Sequence, residues 1–305
     1  MKRRELLGGL AMAGVAAAWP MRMPAAEQAE ADLPIPRKGR IRQGLWAMNF
    51  AIPARQGSGM ANEIERMCKV AVHVGARGFD LLPPSTWPVQ RRFGLTPTLA
   101  GPGRMDFESG IVHAETAEAQ LAAMIANARV CAEADVRRVG INAGQRRGLS
   151  YAEAANNAVA LLNRLKETLE ALNVTLCVEN VNDRHRDARL SRQDMAFGHW
   201  DWGMDVVARV NSPRVKLLCD IYHLQIMDGD VAWRIRESIG SIGHFHVAGV
   251  PTRAEIDGTQ ELNFRYIAQV IAELPYEGYV SHEWAPAPGH DPLKSIEQAI
   301  GIMDV

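Results

Sequence analysis

Val174-Thr-Leu-Cys-Val-Glu179, Val215-Lys-Leu-Leu-Cys-Asp220, Ile242-Gly-His-Phe-His246 and Gly278-Tyr-Val-Ser-His-Glu283 are the stretches from which the fold can be read. Each is a short apolar or β-branched run that closes on a carboxylate or an imidazole, and turn or helix-start residues follow. Buried parallel strands have this appearance. The closing residues lie 41 (179 to 220), 26 (220 to 246) and 37 (246 to 283) positions apart, spacings that fit successive βα units. In a parallel α/β barrel the C-terminal strand ends surround one mouth, where chemistry collects.

Three carboxylates gathered there would repel one another without a cation between them. Glu179, Asp220, His246 and Glu283 are therefore expected to hold one divalent ion. Two Glu, one Asp and one neutral His suit a hard-to-borderline metal, Mn²⁺ in preference to Mg²⁺, Co²⁺ or Zn²⁺. Taken one at a time, each residue has an ordinary explanation. A lone Glu at a strand end is more often a cap or salt-bridge partner, and Asp220 would make a good helix N-cap. A single inward His is more often a satisfied core group. Packing alone does not explain four consecutive strands ending this way. His244 and His246 share strand parity, so both face inward, His246 nearer the mouth and His244 below it as support.

The remainder of the chain fits the same frame. With 305 residues, net charge −1, 47% hydrophobic and 23% charged residues, the composition is that of a globular protein. It lacks the basic excess of a nucleic-acid binder. Residues 1–31 read as a twin-arginine-type signal peptide: Arg3-Arg4 precedes Glu5-Leu6-Leu7, a glycine-containing apolar run reaches Ala18, and Ala29-Glu-Ala31 offers a cleavage site. The run is too short to span a bilayer, so export without a stable membrane anchor is expected. Residues 32–40 read as a linker and 41–305 as a single catalytic domain, an α/β (β/α)₈ TIM barrel.

Strands are expected at Ile41–Phe50, Phe79–Leu82, Leu95–Ala100 and Val136–Ala143, ahead of the four already quoted. Helices are expected at Met60–Val74, Val89–Phe93, Glu115–Ala134 and Tyr151–Leu172, then near Met204–Val210, Ala232–Ile239 and Phe264–Leu274. Leu121, Met124, Ile125, Ala128 and Val130 form the expected buried stripe of the third, and Ser150 the N-cap of the fourth. Cys68, Cys131, Cys177 and Cys219 show no disulfide framework and read as buried small apolar residues, Cys177 facing into the barrel and Cys219 away from it. The Arg184-His185-Arg186 cluster and His290-Asp291 read as solvated loop residues.

Asp220-Ile-Tyr-His-Leu-Gln-Ile-Met-Asp-Gly-Asp230, the Ile242-Gly-His-Phe-His-Val-Ala-Gly segment, Arg253 and Glu261-Leu-Asn263 carry a resemblance to the xylose-isomerase-like superfamily, and within it to the hydroxypyruvate isomerases. The likeness extends over most of residues 40–300. It implies that Glu179, Asp220, His246 and Glu283 are the metal ligands and that His223 and Arg253 contact substrate oxygens. The chain departs from hydroxypyruvate isomerases in carrying His246 where they commonly have Gln, a habit of ketose 3-epimerases. It departs again at Asn182-Asp-Arg-His-Arg186.

The expected chemistry is metal-dependent isomerisation of an α-hydroxy carbonyl compound through an enediolate. Glu179 and Glu283 would act as acid and base, and Trp46 and Trp284 as an apolar wall. A ketose 3-epimerase and a keto-sugar or inosose dehydratase are the near alternatives, a non-catalytic carbohydrate-binding protein the remote one. A DNA-repair endonuclease would need more metal ligands and a basic face. The partner is a small carbohydrate or hydroxy-keto acid, with no nucleic acid; a homo-oligomer is left open.

Overall fold

The computed structural model describes residues 33–52, 60–184 and 191–305. The expected signal peptide, and His185 and Arg186 of the basic cluster, lie outside them. Residues 34–305 form one compact unit.

Eight parallel strands appear among the described residues: β1 (Gln43–Gly44), β2 (Gly78–Asp80), β3 (Thr96–Leu99), β4 (Arg138–Asn142), β5 (Thr175–Glu179), β6 (Val215–Asp220), β7 (Ile242–Val247) and β8 (Val280–His282). A ladder runs β1-β8-β7-β6-β5-β4, and β2 pairs with β3. Single bridges, Leu45 to Phe79 and Ala100 to Val139, join these two sheets. Together they complete the ring of a TIM barrel. Helices α1 (Met60–Val74), α2 (Trp87–Arg92), α3 (Ala117–Glu133), α4 (Tyr151–Leu172), α5 (Trp200–Val210), α6 (Ile221–Met227), α7 (Val231–Ser238), α8 (Phe264–Glu273) and α9 (Pro292–Met303) alternate with the strands. No described helix is long and apolar enough to cross a membrane.

Local chemistry places these elements. The Ser150 side chain accepts from the Glu153 amide while Glu153 reaches back to the Ser150 amide, the reciprocal box that starts α4. Apolar residues recur along α4 at helical spacing, and Leu161, Leu162, Leu165 and Leu169 are buried. On α3 the stripe is rotated from the expected one. Gln120, Leu121, Met124, Ala128 and Cys131 are buried, whereas Val130 is exposed, because Cys131 occupies the inward position next to it.

The first strand is far shorter than Ile41–Phe50. After Leu45 the chain enters a 3₁₀ turn, Ala47–Phe50. The cause is Asn49, whose Oδ1 accepts the Trp46 amide at 2.6 Å and whose Nδ2 donates to the Trp284 carbonyl at 2.9 Å. The expected linker is also tied down: the Ile35 amide donates to the His73 carbonyl, and the Lys38 and Gly39 amides donate to Asp304.

Most of the core lies between the ring of strands and the helices, and Cys219 packs there. Cys177 packs with Leu99 and Leu218 in a separate small cluster, so the two cysteines face opposite sides of the sheet, as strand parity requires. All four cysteines are free and buried. Strands β2 and β3 approach so closely that a Cβ on Gly78 would stand 1.6 Å from the Thr96 carbonyl oxygen. Gly78→Ala is expected to cost about 3 kcal/mol by forcing the pair apart, read as a lower free energy of urea unfolding.

Candidate metal and substrate site

Each of the last four strands, β5 to β8, leads to a residue at the mouth. Glu179 is the last residue of β5, Asp220 the last of β6, His246 the fifth residue of β7, and Glu283 follows β8 directly. One ligand atom from each of the four lies within 4.8 Å of the others. The His246 Nδ1 is 3.2 Å from Glu179 Oε1 and 3.3 Å from Glu283 Oε2. Donor atoms bound to one ion by bonds of about 2.1 Å stand roughly 3.0–3.4 Å apart.

Asp220 shows most directly what the site wants. Its Oδ1 caps α6 by accepting from the amides of Tyr222 (2.8 Å) and His223 (3.3 Å). Its Oδ2 is buried and accepts no hydrogen bond. The capping explanation is therefore right for one oxygen and leaves the other for a cation. Asn180 fixes the strand end by bonding both the amide and the carbonyl of Asp220. Asn142, at the end of β4, donates to Glu179 Oε2 at 3.1 Å. The donor set of three carboxylates and one imidazole fits a hard-to-borderline divalent ion.

Electrostatics agree with the geometry. Burial, reinforced by the charge of Glu283, pushes the Asp220 carboxyl well above the usual carboxylate range. Two like charges about 4 Å apart cost roughly 4 kcal/mol at an effective dielectric near 20, and a divalent cation reverses that sign. Burial would raise Glu283 too, but the Arg253 guanidinium and His246 outweigh it and hold its carboxyl low. Arg253 Nη2 lies 2.8 Å from Glu283 Oε2 and 3.9 Å from Asp220 Oδ2. A tight turn presents it, with φ +56° and its amide on the Gly249 carbonyl.

His223 is buried, 2% exposed. Its Nδ1 accepts from the Asn182 amide at 3.2 Å and faces the Asn182 Nδ2 at 2.6 Å. The proton therefore sits on Nε2, 3.4 Å from Asp220 Oδ2. Burial, then Arg253, pulls its pKa well below the usual imidazole range, so it is a neutral donor aimed at the site.

A cavity of about 800 Å³ opens at the mouth, with Trp46, Met48, Arg192, Arg253, Glu283 and Trp284 in its wall. Trp46 is partly exposed. Trp284 is only 1% exposed and backs the wall, its Nε1 donating to His282 Nδ1.

His290 and Asp291 lie in the loop after β8, as expected, His290 with about half of its side chain exposed, and each also makes a specific contact. Asp291 caps α9, and the His290 ring bonds the buried carboxylate of Glu255. Glu255 also accepts from the Ala287 amide and Ser295 Oγ, joining the loop after β7 to the loop after β8.

The reading from sequence missed Asp80, Asn142, Asn180 and Asn182. The signal for the first two was present: Gly78-Phe-Asp80 and Gly140-Ile-Asn142 also end strands on a polar residue. The two later asparagines lie in a loop, where sequence gives no orientation.

The sequence pattern of a family described as the xylose isomerase-like TIM barrel matches residues 89–304. A putative hydroxypyruvate isomerase from Danio rerio is 29% identical over 211 residues, 68% of this chain and 71% of that protein. A 2-oxo-tetronate isomerase from Cupriavidus necator is 37% identical over 120 residues, 39% of this chain, and the match spans 43% of that relative's length. Among solved structures, a family 2 AP endonuclease from Brucella melitensis superposes with a TM-score of 0.70 at 23% identity, covering 84% of this chain and 96% of that one. At that identity the likeness speaks for the fold.

Mn²⁺ at a hundredfold excess over its dissociation constant is expected to stabilise the chelator-treated protein by about 2.7 kcal/mol, visible as a higher midpoint of thermal unfolding. Removing the Glu255 charge tests the loop junction. Burial works to raise its carboxyl, but the amides of Glu255 and Ala287, then His290 and Ser295, hold it below its ordinary value of 4.5. A depressed carboxyl stabilises the fold above the ordinary value, and that contribution fades as pH falls. Glu255→Gln should be less stable than the parent at pH 7, with the gap in urea midpoints closing as pH drops below 4.5.

Proposed function

We infer that this chain, which belongs to the xylose isomerase-like TIM-barrel family, is a metal-dependent isomerase of α-hydroxy carbonyl compounds, hydroxypyruvate isomerase-like in its reaction. The observation that carries this reading is the convergence of Glu179, Asp220, His246 and Glu283 around a buried Asp220 oxygen that accepts no hydrogen bond. The isomerase names of the curated relatives support it. When bound, a divalent ion would supply the Lewis acidity that polarises a substrate carbonyl and stabilises enediolate charge.

The residues of the chain supply the rest. Glu179 ends β5 and Glu283 follows β8, strands separated by β6 and β7 in the ring, and the two present carboxylates from different sides of the site. One removes the carbon-bound proton; the other, carrying a proton, returns one. Return to the neighbouring carbon isomerises the substrate, with a hydroxyl proton passing between the two oxygens. Return to the opposite face of the same carbon epimerises it. Arg253 keeps Glu283 ionised and points a guanidinium into the cavity. The neutral His223 donates from Nε2, so the two together orient substrate oxygens.

One observation favours a second reading, a ketose 3-epimerase. The cavity of about 800 Å³ lies in the range of pockets for ligands far larger than a three-carbon acid, and Trp46 offers a flat apolar surface to a sugar ring. A dehydratase acting on keto-sugars or inososes would share the first proton abstraction. A carbohydrate-binding protein without catalysis would not need both glutamates.

Glu179→Gln and Glu283→Gln are each expected to lower turnover by about 10²–10⁴-fold with the fold retained. The assay is Mn²⁺-supplemented conversion of hydroxypyruvate, 2-oxo-tetronate and ketoses. Deuterium entering recovered substrate from heavy water would show carbon-bound proton exchange, and its absence with every compound would remove the acid–base reading. We also propose export through the twin-arginine-type signal of residues 1–31. N-terminal sequencing of the mature protein checks this, and a start before Ala18 contradicts it.

A further inference from the structure

Below the four converging residues lies a buried polar group that the proposed reaction does not use. Asp80, at the end of β2, is 1% exposed. Its Oδ2 lies 3.0 Å from His246 Nε2 and 2.6 Å from His244 Nε2. Its Oδ1 accepts the hydroxyl of Thr98 on β3. The rings of His244 and His246 stand edge to face, 5.3 Å between centroids, as two inward residues on one strand can. The barrel brings Asp80 to them from 164 and 166 residues away in sequence.

We propose that Asp80 is a positioning residue for the divalent ion: it accepts the Nε2 proton of His246 and so presents the unprotonated Nδ1 of that ring to the site. The inference rests on the reading that Glu179, Asp220, His246 and Glu283 hold an ion. A neutral imidazole carries one proton, and whichever nitrogen holds it cannot bind a metal. With Nε2–H donated to a buried carboxylate, Nδ1, 3.2 Å from Glu179 Oε1 and 3.3 Å from Glu283 Oε2, is the nitrogen that would give up its proton when an ion binds. The carboxylate also makes the ring more basic and stops it rotating. His244 serves the same anchor. Its Nε2 donates to Asp80, while its own Nδ1 is buried without a partner, as an unprotonated nitrogen in an apolar setting would be.

A competing use of these atoms is a second metal site, since Asp80, His244 and His246 also gather three ligand atoms within 4.8 Å. The 2.6 Å separation argues against it. It is a hydrogen-bond length, shorter than the roughly 3.3 Å between ligands of one tetrahedral ion.

The test is calorimetric titration of the metal-free full-length protein with Mn²⁺, for the parent, Asp80→Asn and Thr98→Val. Asn keeps an acceptor oxygen for both rings and loses the charge. We expect Asp80→Asn to bind Mn²⁺ about 10–100-fold more weakly, with unchanged thermal unfolding of the metal-free form. Thr98→Val, which loosens Asp80 without touching either histidine, should weaken binding several-fold. In the Zn²⁺-loaded protein the His246 Nε2 proton should resonate far downfield and move upfield in Asp80→Asn. A parent that binds Mn²⁺ alongside variants that bind it equally tightly would overturn this inference and leave the proposed function standing. Two ions per chain by elemental analysis would overturn it in favour of a second metal site. A parent that takes up no ion would overturn both.

Discussion

Mutual repulsion among buried carboxylates is the constraint around which this barrel is organised. Three acids reach one mouth from β5, β6 and the end of β8, and Asp220 is so deeply buried that its carboxyl is driven upward. Burying like charges together is costly unless something positive or a proton intervenes. The chain answers in part itself: Arg253 leans onto Glu283, and His246 lies between Glu179 and Glu283. What is left over, the buried Oδ2 of Asp220, which accepts no hydrogen bond, has the character of a ligand atom. Strain of this kind is tolerated where function needs it.

The supporting residues are as informative as those at the centre. Asn142 on Glu179, Asn180 on the Asp220 backbone, Asn182 on His223 and Asp80 on His246 each settle a side chain that would otherwise rotate. Positioned donors and acceptors lower the cost of reaching the productive geometry. Asn49 and Glu255 do comparable work on the backbone, bonding the loop after β1 to Trp284 and the loop after β7 to that after β8. The mouth is thus built from loops that are cross-braced rather than independent.

Much of this was legible beforehand because the relevant signals are local. A short apolar run ending on a polar residue has one sensible place in a parallel barrel, and repetition over four strands made the site readable at Glu179, Asp220, His246 and Glu283. The opposite facing of Cys177 and Cys219 follows from strand parity alone. Where local rules met a competing interaction they failed. Val130 has the apolarity of a core residue, yet Cys131 occupies the inward position. Ile41–Phe50 has the composition of a strand, but Asn49 draws its second half into a turn.

The sequence by itself determined the alternation of strands and helices, the identity of the four converging residues and the cap at Ser150, since all depend on neighbours a few positions apart. Only the tertiary structure decided that Asp80 lies against His244 and His246, that the proton of His223 sits on Nε2, and that His290 bonds the buried Glu255. Those contacts join residues dozens to more than a hundred positions apart, and their existence depends on how the ring of strands closes. No pattern along the chain records that closure, because it is set by the packing of every strand against the next.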